Sequence, residues 1–155
     1  MRILVDGFSL LHSWPELAPG RPRHTAAVRK ELINRLTQYH DACGTPITIV
    51  FDGAAAKLEI EETPPKPGLE ILYSRTGQTA DQIIERAAHR LKAFGEVLVV
   101  TDDLAERETV TSLGATASTC ENFIRTVEND LADLERELDA YNQKERTKFR
   151  TSKDL

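Results

Sequence analysis

The sequence predicts an α/β protein, a three-layer α/β/α sandwich built around a mainly parallel sheet. Short apolar runs that are typical of buried strands alternate along the chain with amphipathic stretches at helical spacing. The segments between successive strand-like runs are long enough for the right-handed crossovers that parallel strands require. Three of these runs also stop at aspartates, which are Asp6, Asp52 and the Asp102-Asp103 pair.

Four runs are predicted to be strands because each is short, apolar and bounded by turn-forming residues. The fourth holds four consecutive apolar residues, Val97 to Val100, as expected of a central strand covered on both faces. A proline-rich stretch at 63–68 is predicted to be a surface connection. The predicted strands are residues 1–6, 46–52, 69–73 and 96–101.

Two helices are predicted between the strands. The first spans residues 25–42 and ends before Gly44, since its apolar residues recur three and four apart. The second begins at Thr79, which forms a capping box with Gln82, and it ends at Gly95. Both have the length and the end signals of crossover helices.

Two further helices are predicted in the last third of the chain. A short one runs from about residue 104 to 113, and a long one begins with a capping box of Ser118 and Glu121. The apolar residues of the long helix alternate as in a heptad seam, but the run is too short to sustain a coiled coil alone. We expect it to pack along the domain, with a dimer through the seam as the alternative. The seam residues are Ile124, Val127, Leu131, Leu134, Leu138 and Tyr141.

The composition is that of an ordinary globular protein. Of the 155 residues, 40% are apolar and 29% are charged, so the chain can bury one core without disulfides or structural metal ions. We expect one domain over residues 1–143, followed by a basic tail over residues 144–155. Cys43 and Cys120 lack the number and spacing of a zinc site or a disulfide framework, and both are predicted to be reduced and buried. The sequence contains no signal peptide or membrane span, so we expect a cytoplasmic protein.

The net charge of −5 argues against a generally cationic nucleic-acid binder, because affinity for a polyanion comes from lysine and arginine. The basic residues are clustered, however. The segment from Lys144 to Lys153 contains five bases and one acid, and a weaker basic cluster lies within residues 21–30. Each cluster is either a candidate RNA contact or an ordinary solvated surface.

The aspartates at the strand ends define the candidate functional site. The crevice beyond the carboxyl ends of parallel strands is where such folds bind ligands. Asp6, Asp52 and Asp102-Asp103 end strands, and Asp81 lies in the first turn of a helix that begins at the same edge. Like charges repel, so this cluster is unfavourable unless a cation occupies it. Carboxylate oxygens without histidine or cysteine suit Mg²⁺ or Mn²⁺, and such sites commonly hydrolyse phosphodiesters.

Each acid also has a purely structural alternative. Asp6, Asp52 and Asp103 suit turns or helix N-caps, and Asp81 suits the positive end of a helix dipole. Glu85 lies one turn after Asp81 and points the same way, although a solvated helix face explains it equally well. The coincidence of all these acids on one edge favours the functional interpretation.

Several common sites are absent from the sequence. There is no glycine-rich dinucleotide fingerprint, no P-loop, no nucleophile elbow and no cysteine with an evident catalytic partner. These absences exclude the standard nucleotide-binding and acyl-transfer classes. Metal-dependent phosphodiester hydrolysis needs no organic cofactor and is the chemistry that the acids favour.

A series of short motifs also runs along the chain in order. They are Val5-Asp6-Gly7-Phe8-Ser9, Trp14-Pro15-Glu16-Leu17, Val50-Phe51-Asp52, Thr79-Ala80-Asp81 with Ile84-Glu85, Thr101-Asp102-Asp103 and Gly114-Ala115. The series resembles the YacP-like branch of the NYN domains, which are PIN-like nucleases, and the resemblance covers nearly the whole chain. It implies a metal-dependent endoribonuclease, and the branch includes ribosome-associated enzymes that cut mRNA in the ribosomal A site.

Position by position, the resemblance implies that Asp6, Asp81 and Asp103 are the catalytic, metal-binding carboxylates. It also implies that Asp52 and Glu85 are acids near the site. The expected cofactor is one or two Mg²⁺ or Mn²⁺ ions, and the expected partner is RNA, with the ribosome as a further candidate.

The chain departs from the family pattern in two places. The first motif of the family usually reads Asp-Gly-Tyr-Asn, whereas Phe8 and Ser9 follow the glycine here. The last motif usually has Ser or Asn where this chain has Asp102, which adds a negative charge beside Asp103 and makes Asp102 a further supporting acid. Ser9 still donates and accepts hydrogen bonds, but it is shorter than asparagine.

If RNA is the substrate, the loop from Leu10 to His24 is predicted to form the rim of the site. Trp14 is then available to stack on a base, and Arg21 or Arg23 to hold phosphate, while Ser9 offers a hydrogen bond. The alternative for Trp14 is packing against the body of the domain, as large aromatic residues usually do.

We therefore expect a single-domain, PIN-like ribonuclease. One alternative is an RNA- or ribosome-binding module of the same fold that has lost cleavage, which Ser9 in the asparagine position motivates. Another is a metal-dependent phosphatase for a small phosphate ester, which would share the acids but need no RNA-binding rim.

Overall fold

The structure is a computed structural model and describes residues 1–53 and 66–153. Its strands are β1 (Arg2–Asp6), β2 (Ile47–Phe51), β3 (Leu69–Tyr73), β4 (Val97–Val100) and β5 (Thr116–Ser118). They form one parallel sheet in the order β3-β2-β1-β4-β5. The chain thus adds β2 and β3 on one side of β1, and then adds β4 and β5 on the other side. This reversal places a topological switch point between β1 and β4, where open α/β sheets bind ligands.

Helices cover both faces of the sheet, which confirms the predicted α/β class. One face packs on α1, α2 and α5, and the other packs on α3 and α4. Alternate residues of the strands enter the two cores because successive side chains of a strand point to opposite faces: Ile3 and Val5 enter the first core, and Leu4 enters the second. The helices are α1 (Gly7–His12), α2 (Ala26–Cys43), α3 (Ala80–Leu91), α4 (Leu104–Ser112) and α5 (Cys120–Lys153), with short 3-10 turns at Pro15–Leu17 and Lys92–Phe94.

Two elements differ from the sequence prediction. The turn expected after Asp6 is the start of the short helix α1, which the sequence does not signal because it has only six residues. Ser118, predicted to cap the last helix, instead belongs to β5, a three-residue strand without an apolar run. The cap is the next residue, Thr119, whose hydroxyl accepts a hydrogen bond from the N–H of Asn122 over 3.2 Å.

The long helix α5 packs along the domain through its first turns. Phe123 and Val127 are buried in the first core, whereas Leu138 and Tyr141 are 53% and 60% exposed. The segment predicted to be a separate basic tail, residues 144–155, continues this helix without a break as far as Lys153. The basic residues therefore lie at the end of a helix of roughly 50 Å, well beyond the part that contacts the sheet.

Three remaining predictions concern the cysteines, the proline-rich connection and membrane-spanning helices. Cys120 is free and buried as expected, but Cys43 is exposed because it is the last residue of α2, beside the chain turn at Gly44. In the predicted proline-rich connection, residues 63–65 lie outside the described residues, and Pro67 is exposed. None of the helices within residues 1–53 and 66–153 combines the length and apolar character that a bilayer crossing needs.

Candidate active site

Carboxylates from several elements surround a cleft at the carboxyl edge of the sheet. Asp6 is the last residue of β1, Asp52 follows β2, and Asp81 lies in the first turn of α3. The cleft has a volume of about 420 Å³ and is open to solvent on one side. Its lining consists of Asp6, Phe8, Ser9, His24, Asp52, Thr79, Ala80 and Asp81.

Asp6 is held in place by two donors. Its Oδ1 accepts a hydrogen bond from the backbone N–H of Ser9 over 3.3 Å, and its Oδ2 accepts one from the hydroxyl of Thr101 over 3.4 Å. Burial, together with the charges of Asp81 and Asp103, raises the pKa of Asp6 to about 6, although the two hydrogen bonds lower it. Asp6 is therefore a fixed carboxylate whose negative charge is opposed by its surroundings.

The glycine after Asp6 lets α1 begin close to the sheet. A Cβ atom on Gly7 would lie 2.3 Å from the ring of Phe51. Only glycine tolerates so close an approach, so the Asp-Gly pair has a packing reason beyond the turn that it predicts. The Asp52-Gly53 pair behaves alike, because a Cβ on Gly53 would lie 2.1 Å from the carbonyl oxygen of Ser74.

Asp81 is presented to the cleft by the start of α3. The predicted capping box is confirmed: the hydroxyl of Thr79 accepts a hydrogen bond from Gln82 N–H over 3.2 Å, and the Gln82 side chain accepts one from Thr79 N–H over 3.0 Å. Burial raises the pKa of Asp81, and the charges of Asp103, Glu85 and Asp52 contribute smaller increases. The acids predicted from the strand ends thus act on one another electrostatically.

Asp103 is tied to Asp6 through a single hydroxyl. Thr101 donates its hydroxyl proton to Asp6 and accepts a hydrogen bond from the backbone N–H of Asp103 over 3.2 Å. The Oδ1 of Asp103 also caps α4 by accepting from the N–H of Glu106 over 3.2 Å. Asp103 is exposed and lies at the switch point beside β1, where it contributes to the raised pKa values of Asp6 and Asp81.

Glu106 is an acid of this region that no sequence motif marks. It is only 3% exposed, and among the residues that the structure describes its Oε1 has no hydrogen-bond partner. Burial, followed by a hydrogen bond with Glu85 and by the charges of Asp81, Glu85 and Asp103, raises the pKa of Glu106 to about 9. The available signal was its position four residues before Val110, which places both side chains on the inward face of α4.

Asp102 does not line the cleft, and its carboxylate is hydrogen-bonded to other parts of the chain, which argues against its predicted role as a supporting metal ligand. Its Oδ1 accepts a hydrogen bond from the backbone N–H of Cys120 over 2.9 Å, and its Oδ2 accepts one from the hydroxyl of Ser13. Burial by itself raises the pKa of Asp102, but these hydrogen bonds and the charge of Arg107 bring it below its ordinary value. Asp102 therefore joins α1 to the start of α5, and both of its oxygens are already engaged.

Ser9 lines the cleft and closes the same network. Its hydroxyl oxygen accepts a hydrogen bond from the backbone N–H of Asp102 over 2.9 Å, and the thiol of Cys120 lies 3.5 Å away. Two of the residues that depart from the family pattern, Ser9 and Asp102, thus contact each other. A side chain as short as that of serine suffices at position 9, because the backbone N–H of Asp102 lies within hydrogen-bonding distance of it.

Two of the three residues predicted to hold RNA at the rim are engaged within the protein. Trp14 is 1% exposed, its indole N–H donates to Glu128 over 3.3 Å, and the guanidinium of Arg35 lies over its ring, so the prediction that it stacks on a base is wrong. Arg23 donates to three backbone carbonyls, which hold the loop before α2 together. Arg21 is exposed.

The donor set fits a hard divalent cation. As placed, no three acidic, histidine or cysteine side chains of the described residues are close enough to enclose an ion together. Mg²⁺, however, commonly binds through one or two carboxylates and keeps several waters. The pKa values of Asp6 and Asp81 are raised by burial and by neighbouring acids, and a buried oxygen of Glu106 lacks a hydrogen-bond partner among the described residues. A bound cation would relieve both unfavourable features.

Comparisons with known proteins agree with this architecture. A family model described as the YacP-like NYN domain matches residues 3–154. A Bacillus subtilis (strain 168) protein named uncharacterized protein YacP is 28% identical over 136 residues, which are 86% of this chain and 79% of that protein.

The fold is also that of a solved structure. The crystal structure of Rae1 (YacP) from Bacillus subtilis has a TM-score of 0.76 at 23% identity, with 95% of this chain and 84% of that chain covered. A mutant of the same protein gives a TM-score of 0.75 at 24% identity, with 92% and 85% covered. At these identities the structures establish the shared fold, and the family model establishes kinship over nearly the whole chain. The chain belongs to the YacP-like NYN domain family.

Proposed function

We propose that this protein is a cytoplasmic, metal-dependent endoribonuclease that hydrolyses phosphodiester bonds of RNA. The observation that carries the proposal is the cleft lined by Asp6 and Asp81, whose pKa values are both raised by burial and by the charge of Asp103. Carboxylates crowded in this way are costly unless they bind a cation. Membership of a nuclease-type family makes RNA the expected anion beside that cation.

In this proposal Asp6, Asp81 and Asp103 hold one or two Mg²⁺ or Mn²⁺ ions. A bound ion would supply activation of the attacking water and stabilisation of the leaving oxygen. The protein's own contribution is positioning: Thr101 fixes Asp6 relative to Asp103, and the capping box fixes the first turn of α3 that carries Asp81.

The remaining acids have supporting roles. Asp52 lines the cleft and is contacted by the Ser74 hydroxyl over 3.5 Å, which suits an acid that orients water or a second ion. Glu85 lies beside the buried Glu106, whose pKa is raised to about 9 by burial, by a hydrogen bond with Glu85 and by the neighbouring charges. They are therefore placed to adjust the charge of the site.

RNA and, by the family resemblance, the ribosome are the proposed partners. The basic end of α5 lies far from the acidic cleft and has the charge to contact RNA phosphates. We propose that it does so, which would compensate for the repulsion between a polyanion and a chain of net charge −5. No organic cofactor is required for the chemistry.

A comparison of substrates tests the proposed function. Purified protein is incubated with single-stranded RNA and with a generic phosphate monoester, each with Mn²⁺ or with EDTA. We expect cleavage of RNA that requires Mn²⁺. RNA binding without cleavage, on free RNA and on ribosome-bound mRNA, would instead support a binding module, and turnover of the monoester alone would support a phosphatase.

An Asp6→Asn, Asp81→Asn double variant identifies the site responsible. The matched control is Asp133→Asn, Asp139→Asn, which removes the same charge from exposed positions of α5. The first variant is expected to lose cleavage and the second to retain it.

A further inference from the structure

His24 lies on the rim of the acidic cleft. It lines the same cleft as Asp6, Asp52 and Asp81, and its side chain is exposed. Of the described residues that line this cleft, it is the one whose side chain can carry a positive charge. Its position in the sequence, within a basic cluster that precedes α2, did not distinguish it.

The imidazole of His24 is held by two neighbouring rings. Its centroid lies 5.3 Å from that of Phe8 and 5.1 Å from that of His12, with the ring planes inclined at 53° and 69°. Phe8 is buried and in turn contacts the ring of Phe51 at 5.2 Å, so this row of rings is anchored in the core. The side chain of His24 is therefore positioned although it is exposed.

The backbone of His24 is held as well. Its carbonyl oxygen accepts a hydrogen bond over 2.8 Å from the guanidinium of Arg29, a residue that is fully buried. The next residue, Thr25, caps α2 by accepting from the N–H of Val28. A side chain fixed in this way binds a ligand at a smaller entropic cost than a mobile lysine or arginine would.

The ring nitrogens of His24 have no hydrogen-bond partner among the residues that the structure describes. The predicted RNA contacts Trp14 and Arg23 are, by contrast, engaged within the protein. An RNA strand in the cleft would bring phosphate oxygens, which the carboxylates repel and which an imidazole N–H attracts.

We propose that His24 binds the substrate directly, by donating an N–H to a phosphate oxygen of the RNA strand that lies in the cleft. The contact rests on the proposed function, because it requires RNA in the acidic cleft. It makes His24 a substrate-contacting residue and replaces Trp14 as the aromatic residue of the rim.

Three substitutions at His24 separate hydrogen bonding from ring packing. His24→Phe keeps the contacts with Phe8 and His12 but has no N–H, His24→Gln keeps a donor without the ring, and His24→Ala removes both. The control is His89→Phe, an exposed histidine in the last turn of α3, at the opposite end of that helix from Asp81. Thermal unfolding of each variant verifies folding.

The dissociation constant for single-stranded RNA is measured with Ca²⁺ in place of Mn²⁺, and KM and kcat are measured with Mn²⁺. We expect His24→Phe and His24→Ala to raise the dissociation constant and KM by about tenfold, with kcat changed much less, since a hydrogen bond to a charged group is lost. His24→Gln should recover part of the affinity, and His89→Phe should behave as the wild type.

Unchanged RNA affinity and KM in His24→Phe would overturn the inference while leaving the proposed function intact. The same holds if His24→Phe is normal and only His24→Ala is weakened, because the ring would then act by stacking. If the wild type neither binds nor cuts RNA, the proposed function fails and the inference fails with it.

Discussion

The backbone N–H of Asp102 donates a hydrogen bond to the hydroxyl of Ser9 across 2.9 Å, and so joins the end of β4 to α1. The side chain of Asp102 continues this junction to Ser13 and to the first residue of α5. Three elements therefore meet at one residue beside the acidic cleft. This arrangement explains how a serine at position 9 and an acid at position 102 are accommodated beside the acidic cleft.

Asp102→Asn is expected to leave metal binding unchanged, because both carboxylate oxygens of Asp102 are already hydrogen-bonded within the protein. Its amide oxygen can still accept one of the two hydrogen bonds, so the free energy of unfolding should fall by only about 1 kcal/mol. The measurement is Mn²⁺ affinity by calorimetry, together with urea unfolding. Asp81→Asn serves as the comparison and should weaken Mn²⁺ binding. An equal loss of Mn²⁺ affinity in both variants would show that Asp102 is a ligand after all.

Gly7→Ala is expected to destabilise the protein by about 1–3 kcal/mol, since the added methyl group would overlap the ring of Phe51. The free energy of unfolding in urea measures the loss. The matched double variant Gly7→Ala, Phe51→Leu tests the cause. If the ring is the obstacle, the two substitutions together should cost less than the sum of their separate effects, and strict additivity would argue against the clash.

Glu106 should make the protein less stable as the pH rises. Its pKa is raised from 4.5 to about 9 in the folded protein, so over that range the folded state holds a proton that the unfolded chain has released. The stability that this proton confers is present at low pH and is lost as the pH approaches about 9. Asp6, whose pKa is raised from 3.8 to about 6, causes a further loss of stability as the pH rises through the acidic part of this range.

Thermal unfolding in EDTA at about pH 5 and about pH 9 tests this dependence. Glu106→Gln cannot ionise, so it should unfold at a higher temperature than the wild type at the upper pH and show a smaller decline between the two. Glu108→Gln, on the exposed side of the same helix, is the control and should decline as the wild type does. A parallel decline in all three proteins would mean that Glu106 is already charged.

The basic end of α5 is expected to set the salt dependence of RNA binding. Replacing three of its bases with alanine should weaken binding of every RNA sequence alike and should reduce the slope of log K against log salt by roughly 2, if each base neutralises one phosphate of a single strand. An unchanged slope would mean that this end of the helix does not contact RNA. The bases are Lys144, Arg146 and Arg150, and a control of equal charge replaces Arg86, Arg90 and Arg136.

The sequence predicted the acidic edge because its physical cause is local. A run such as Ile3-Leu4-Val5 marks a buried strand, and the aspartate after it must lie at the strand's end. The parallel order of the strands then collects these ends on one edge. Asp81 followed from the capping box of Thr79 and Gln82, a signal that spans only four residues.

The residues that the sequence misplaced are those whose surroundings are built by distant parts of the chain. Trp14 is buried in the first core, where Glu128, more than a hundred residues away, accepts its N–H. The carboxylate of Asp102 is engaged because Ser13, just after α1, and Cys120, at the start of α5, both donate hydrogen bonds to it. In the sequence, Glu106 resembles any charged residue of a helix. Only its burial and its contact with Glu85, on another helix, distinguish it. Such long-range contacts leave no pattern in a single sequence.

The most direct test of the acidic cleft as a metal-dependent ribonuclease site is the initial rate of single-stranded RNA cleavage as Mn²⁺ is titrated. The rate is compared between the wild type, Asp81→Asn and the exposed control Asp133→Asn. We predict that the wild-type rate saturates with Mn²⁺ and vanishes in EDTA. Asp81→Asn should lower it on the order of a hundredfold or more, and Asp133→Asn should leave it unchanged. Cleavage that persists in EDTA, or that proceeds equally fast in Asp81→Asn, would contradict the account.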